Sequence, residues 1–217
     1  MSLITPLQFS TVQPNLYRGS YPRELNIPFL RSLRLKYVVS LTPHSLAEDP
    51  VMSRFCTEDG IEMIHILCQD EKKSKDKTKP KVKRKKKTVP IEYTVVEECA
   101  RFLVDKQHYP CYMHCTNGEL ITSLVVACLR KLSYWSTVSI LNEFLAYNSS
   151  INIHERNFIE NFSSEIQIEN VDLRNKVPWM AIQVVKKRDK KDIDDGKHDD
   201  SPSPMPKPLP KLTFHSV

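Results

Sequence analysis

Apolar positions along the chain switch between the strand period of two and the helix period near 3.6, and the switches divide residues 7–165 into alternating elements. Residues 7–21 read as an extended lead-in with a turn at Pro14-Asn15, and Leu16-Tyr17-Arg18 as a short strand ended by Gly19. Pro28 opens a short helix that runs to Leu35. Residues 36–41, rich in β-branched and aromatic side chains, predict a strand closed by Thr42-Pro43. A helix over 50–58 ends near Gly60. The alternation over 61–67 then puts Ile61, Met63 and His65 on one face of a strand.

The second half is richer in helix. Thr88-Val89-Pro90 starts a helix whose apolar stripe holds Ile91, Val95, Cys99 and Phe102, with Val96, Ala100 and Leu103 beside it. Tyr112-Met113 is a very short strand. Residues 120–132 are apolar nearly all round, as a central buried helix must be. Thr137 caps a helix carrying Val138, Leu141, Phe144 and Leu145, and a further helix covers 153–162. The pattern predicts an α/β fold, a central sheet flanked by helices, with a C-terminal helical bundle on one side.

The stretch with chemistry in it is 111–123, where a strand runs through His114-Cys115 into a polar loop with Gly118 and then into the apolar helix. A cysteine on a loop that opens a helix sits where unpaired backbone N–H groups point, which favours a thiolate and holds an anion. The plain alternative for Cys115 is a small buried hydrophobe, the usual state of a free cysteine. His114 is placed to tune the thiol.

Charge is uneven. The net charge is +6, but eleven of the sixteen residues over 72–87 are Lys or Arg, so the remainder is close to neutral or slightly acidic. That run cannot bury a core and reads as a mobile loop. Two sharper readings stand beside it: a nuclear import signal over 81–87, and a dock for a polyanionic ligand such as an inositol polyphosphate. With no aromatic residues interleaved, a stacking nucleic-acid surface is disfavoured. The six cysteines lie mostly in apolar runs, which predicts reduced thiols in an intracellular protein. Cys111 and Cys115 have the wrong spacing for zinc, so neither metal nor cofactor is expected. No apolar run is long enough for a membrane span, and a cytoplasmic protein is the expectation. From about residue 186 the chain turns to mixed charge, then to prolines at 202, 204, 206, 208 and 210, and reads as disordered or polyproline-like.

Residues 114–123 resemble the signature loop of cysteine-dependent protein phosphatases, which reads H-C-x-x-G-K-x-R-T-G in active members. Residues 9–22, 29–35, 128–132, 136–140 and 155–160 resemble one branch, the atypical dual-specificity phosphatases of plants and fungi, most of all the fungal oxidant-induced cell-cycle arrest proteins. The resemblance implies a tyrosine/dual-specificity phosphatase domain over 1–170, with 72–87 as a basic insertion and 171–217 as a C-terminal segment. It implies a phosphocysteine nucleophile at Cys115 and a phosphate-binding loop of Thr116, Asn117, Gly118, Glu119, Leu120, Ile121 and Thr122. It also implies association with related phosphatases, and roles in the oxidative stress response and cell cycle.

Three loop positions depart from the pattern: Glu119 stands for lysine, Ile121 for arginine and Ser123 for the last glycine. The arginine forks two phosphate oxygens, which Ile121 cannot do. A carboxylate at 119 repels a phosphate dianion and disfavours the thiolate. Asp70 and Glu71 are the candidate proton donors. Arg156 is a candidate substitute cation, or simply a helix-surface ion pair. Two functions follow. One is a phosphatase acting on phosphotyrosine or inositol pyrophosphates. The other, favoured by the lost charge, is a catalytically impaired member that serves as a binding or scaffold subunit.

Overall fold

The computed structural model describes residues 3–69, 89–162, 167–169, 174–180 and 183–185. The basic run 72–87, Asp70, Glu71 and the tail from 186 lie outside the described residues. The five-stranded sheet has the order β1-β2-β5-β3-β4. Its strands are β1 (Ser10–Gln13), β2 (Leu16–Ser20), β3 (Tyr37–Thr42), β4 (Glu62–Leu67) and β5 (Cys111–Cys115). β1 runs antiparallel to β2, with Asn15 in the left-handed region at the turn (φ 65°). The other pairings are parallel. The helices are α1 (Ile27–Ser32), α2 (Pro50–Glu58), α3 (Tyr93–Leu103), α4 (Leu120–Lys131), α5 (Thr137–Tyr147) and α6 (Ile153–Asn161).

Period two in the central strands separates two hydrophobic clusters. Val38 and Tyr112 pack with Leu30, Met52 and Phe55 of α1 and α2. Val39, Leu41, Cys111, Met113 and Cys115 pack with α3, α4, α5 and α6. α4 is buried from Ile121 through Arg130, as its unbroken apolar run requires. Full burial of each Leu, Val or Ile there contributes roughly 1.5–3 kcal/mol. Arg130 is tolerated inside because Nε and Nη2 donate to the Glu143 carboxylate at 2.7 and 2.8 Å, and Nη2 also to Val12 O.

Several boundaries differ from the sequence expectation, α1 among them, which ends at Ser32 rather than Leu35. β5 spans five residues rather than two, because β2 and β3 pair with it on both sides. α3 starts at Tyr93, after Glu92 in an extended conformation, although Ile91 before it is buried. The cap of α5 is Ser136, one residue earlier than Thr137, its Oγ accepting from Ser139 N at 3.2 Å. Two short strands, β6 (Gln167–Glu169) and β7 (Gln183–Val185), form a separate parallel pair that the apolar pattern did not reveal. All six cysteines are buried thiols. No helix among the described residues is long and apolar enough to cross a membrane.

Candidate active site

Cys115 is the last residue of β5, at the carboxyl edge of the parallel strands, and residues 116–119 turn from it into α4. β2 forms the floor of that turn. Gly118 has φ 78°, and a Cβ on it would stand 2.6 Å from the backbone of Gly19 and Ser20, so only glycine lets the turn lie this close. Tyr21 N donates to Thr116 O (3.3 Å), and Tyr112 Oη donates to Ser20 O (2.6 Å). Arg18 of β2 reaches the turn from beneath and is only 1% exposed. Its Nη2 donates to Gly118 O (2.9 Å) and to Ser123 Oγ (2.7 Å), and its guanidinium lies 3.7 Å from the centre of the Tyr147 ring.

Inside the turn the hydrogen bonds converge near the sulfur. Gly118 N–H donates to Cys115 Sγ at 3.2 Å. Asn117 Oδ1 lies 3.6 Å from Sγ and accepts from Glu119 N at 3.0 Å. Asn117 Nδ2 in turn donates to Glu119 Oε2 at 2.9 Å. Two main-chain donors that the sequence reading assigned to an anion thus already serve the sulfur and the Asn117 carboxamide. Thr116 is exposed; Asn117, Glu119 and Leu120 are half-buried; Cys115, Gly118, Ile121 and Thr122 are buried. Ile121 belongs to the hydrophobic core, and Thr122 Oγ1 is buried without a hydrogen-bond partner in the structure.

His114, placed by the sequence to tune the thiol, is held uncharged. Burial lowers its pKa to about 4, so the ring is neutral at ordinary pH. Nδ1 lies 3.3 Å from Cys115 O, which can only accept, so Nδ1 carries the proton and Nε2 accepts from Ser40 Oγ at 2.9 Å. Arg156 is no substitute cation: it pairs with Glu160 one turn along α6 at 2.8 Å, half exposed. His65 is an exposed edge-strand residue whose Nε2 meets Thr42 O. Among the described residues no His, Cys, Asp or Glu cluster is arranged to hold a metal ion. A cleft of about 360 Å³ opens at the ends of β3 and β4, between Pro43, Leu67, Cys68, Ile91 and Val95.

The residue that sequence reasoning missed is Arg18. The available signal was parity: Leu16, Arg18 and Ser20 fall on one face of the strand, so the arginine occupies a core position.

A parallel strand that ends in cysteine, a glycine-braced turn and a buried helix behind it together define a cysteine-dependent phosphatase scaffold. The chain belongs to the tyrosine phosphatase family, whose model matches residues 3–181. It is 64% identical over 225 residues, all of both chains, to OCA6 of Saccharomyces cerevisiae, a protein named as a candidate tyrosine-protein phosphatase. It is 30% identical to the inositol diphosphatase DSP3 of Arabidopsis thaliana over 74% of this chain and 72% of that one. The core catalytic domain of the PP-IP phosphatase SIW14 from S. cerevisiae shares the fold, with a TM-score of 0.62 at 24% identity over 75% of this chain and 89% of that one.

Proposed function

We propose that this chain holds a highly phosphorylated ligand at the Cys115 loop without turning it over efficiently, and acts as a binding subunit beside related phosphatases. One observation carries the reading: Ile121, at the position of the phosphate-pairing arginine, is packed into the core, so no cation from that position faces the sulfur. An arginine contributing to phosphoryl transfer is worth about 10³- to 10⁵-fold in rate. The ligand class is an inositol polyphosphate, including pyrophosphates. Support for it comes from the relatives named inositol diphosphatases and from the cations over 72–87, which attract a polyanion. On this reading the protein is cytoplasmic, with residues 81–87 serving nuclear import.

The second reading, an active phosphatase with Cys115 as nucleophile, is supported by the Gly118 N–H that still points at Sγ. Hydrolysis of an aryl phosphate and of an inositol pyrophosphate by wild type and Cys115→Ser separates the two. Equal background rates, with retained binding of the pyrophosphate, are expected. Turnover by wild type well above the serine variant overturns the impaired reading. Co-purification of related phosphatases with wild type, but not with a chain lacking 72–87, is the expected sign of the subunit role.

A further inference from the structure

Among the described residues two arginines are buried, Arg18 and Arg130, and their surroundings differ. Arg130 meets a carboxylate through two hydrogen bonds. Arg18 meets a carbonyl, a hydroxyl and the face of a phenol, and among the described residues no carboxylate lies within ion-pair distance of it. Its Nε is buried without a hydrogen-bond partner in the structure. An uncompensated buried charge is costly, so a guanidinium kept this way calls for a counter-charge.

The ionisable groups around it are few. Tyr147 and Glu143 come from α5, Arg130 from α4 and Cys115 from β5. Glu143 is committed to Arg130, and Tyr147 donates its phenol proton to Ser10 Oγ at 2.6 Å. Cys111, Tyr112 and His114, the other titratable groups of β5, are neutral at ordinary pH because burial disfavours their charged forms, and Glu119 of the turn is engaged by Asn117. Cys115, whose sulfur accepts from Gly118 N–H, is the group of this set whose ionisation would balance Arg18.

The connection between them is Gly118. Arg18 Nη2 donates to its carbonyl, and its own N–H donates to Cys115 Sγ at 3.2 Å. The Glu119 N–H, in the peptide unit whose carbonyl Arg18 holds, goes instead to Asn117 Oδ1. With its carbonyl held by the cation, Gly118 keeps its N–H on the sulfur, and the guanidinium charge lies beneath the same turn. Ser123 adds the second acceptor that fixes the guanidinium, at a position where active relatives carry glycine.

We propose that Arg18 is a positioning residue that stabilises the Cys115 thiolate from beneath the turn, by its charge and by holding Gly118, whose N–H faces Sγ, in place of the side chain absent at 121. The inference rests on the loop reading given above. Thiolate titration requires neither ligand nor turnover, so its failure and the failure of that reading are separate results.

The experiment is a pH titration of thiolate absorbance, taken as the difference between each folded protein and the same protein carrying Cys115→Ser. Wild type is expected to titrate below the ordinary thiol value of about 8.5. Arg18→Gln, which keeps a donor but no charge, should move the midpoint up by about one pH unit or more, roughly a tenfold loss of thiolate at neutral pH. Arg18→Lys should restore most of the wild-type midpoint, which a merely structural arginine would not predict. A folded Arg18→Gln with the wild-type midpoint overturns the proposal, as does a lysine variant shifted as far as the glutamine one. Should the glutamine variant not fold, a wild-type midpoint at or above the ordinary value overturns it alone.

Discussion

Arg18 and Ser123 are 105 positions apart in sequence and joined by a 2.7 Å hydrogen bond in the interior. Ser123 replaces a glycine of the active family pattern, so one departure in the loop has a defined physical partner outside it. Ser123→Ala removes an acceptor from a buried cation, and such bonds are worth about 1.5–3 kcal/mol. The expected result is an unfolding free energy lower by that amount, read as a lower urea midpoint with an unchanged m-value.

Asn117 competes with any oxyanion for the Glu119 N–H. Asn117→Ala frees that donor and releases the Glu119 side chain. Tungstate, a phosphate-shaped probe, should then bind about threefold to tenfold more tightly, the worth of one ordinary hydrogen bond. Calorimetric titration checks this. Unchanged affinity would mean that the carboxamide does not occupy the anion position.

Restoring charge tests whether the turn keeps a productive shape. Glu119→Lys with Ile121→Arg should give turnover of an aryl phosphate at least about 10³-fold above wild type, abolished by adding Cys115→Ser. Because Ile121 belongs to the core, the new arginine must leave it for the mouth of the turn, and some loss of stability accompanies the gain. A folded, inert double variant refutes the expectation.

His114 sets a pH dependence of stability. Its folded pKa of about 4 lies below the unfolded value of 6.5, so between these pH values the unfolded chain binds more protons. Stability from this group is therefore fully present above pH 6.5 and is lost as pH falls toward 4. Over that window the loss is about 3 kcal/mol. Urea midpoints of wild type should follow this slope, and His114→Asn should flatten it whatever its absolute stability.

Much of the scaffold was legible in the sequence, because periodicity reports which face of an element meets the core. The all-apolar α4 required nothing else, while in α3 the buried face is Val96, Cys99, Ala100 and Leu103, with Val95 and Phe102 of the expected stripe half-buried at its edge. What escaped depends on partners distant in the chain. β5 looked two residues long because Cys111, His114 and Cys115 do not read as strand, yet pairing with β2 and β3 carries it through all of them. His114 reads as a residue that tunes the thiol, and only its burial and its contact with Ser40, a partner on another strand, show that it is neutral. The loop was located from the His-Cys-x-x-Gly spacing, whereas the arginine beneath it lies on another strand. Only its parity within a short segment marked it.

The backbone contact between Gly118 and the Gly19–Ser20 segment has a consequence for how such a protein changes over time. That contact is made by backbone atoms, so it does not depend on the side chains at 119 and 121. One part of the socket's outline is therefore indifferent to charge: replacements at those two positions change what it attracts without touching the glycine seam. A lineage built on such a seam can vary the chemistry of its loop while the seam itself stays under constraint.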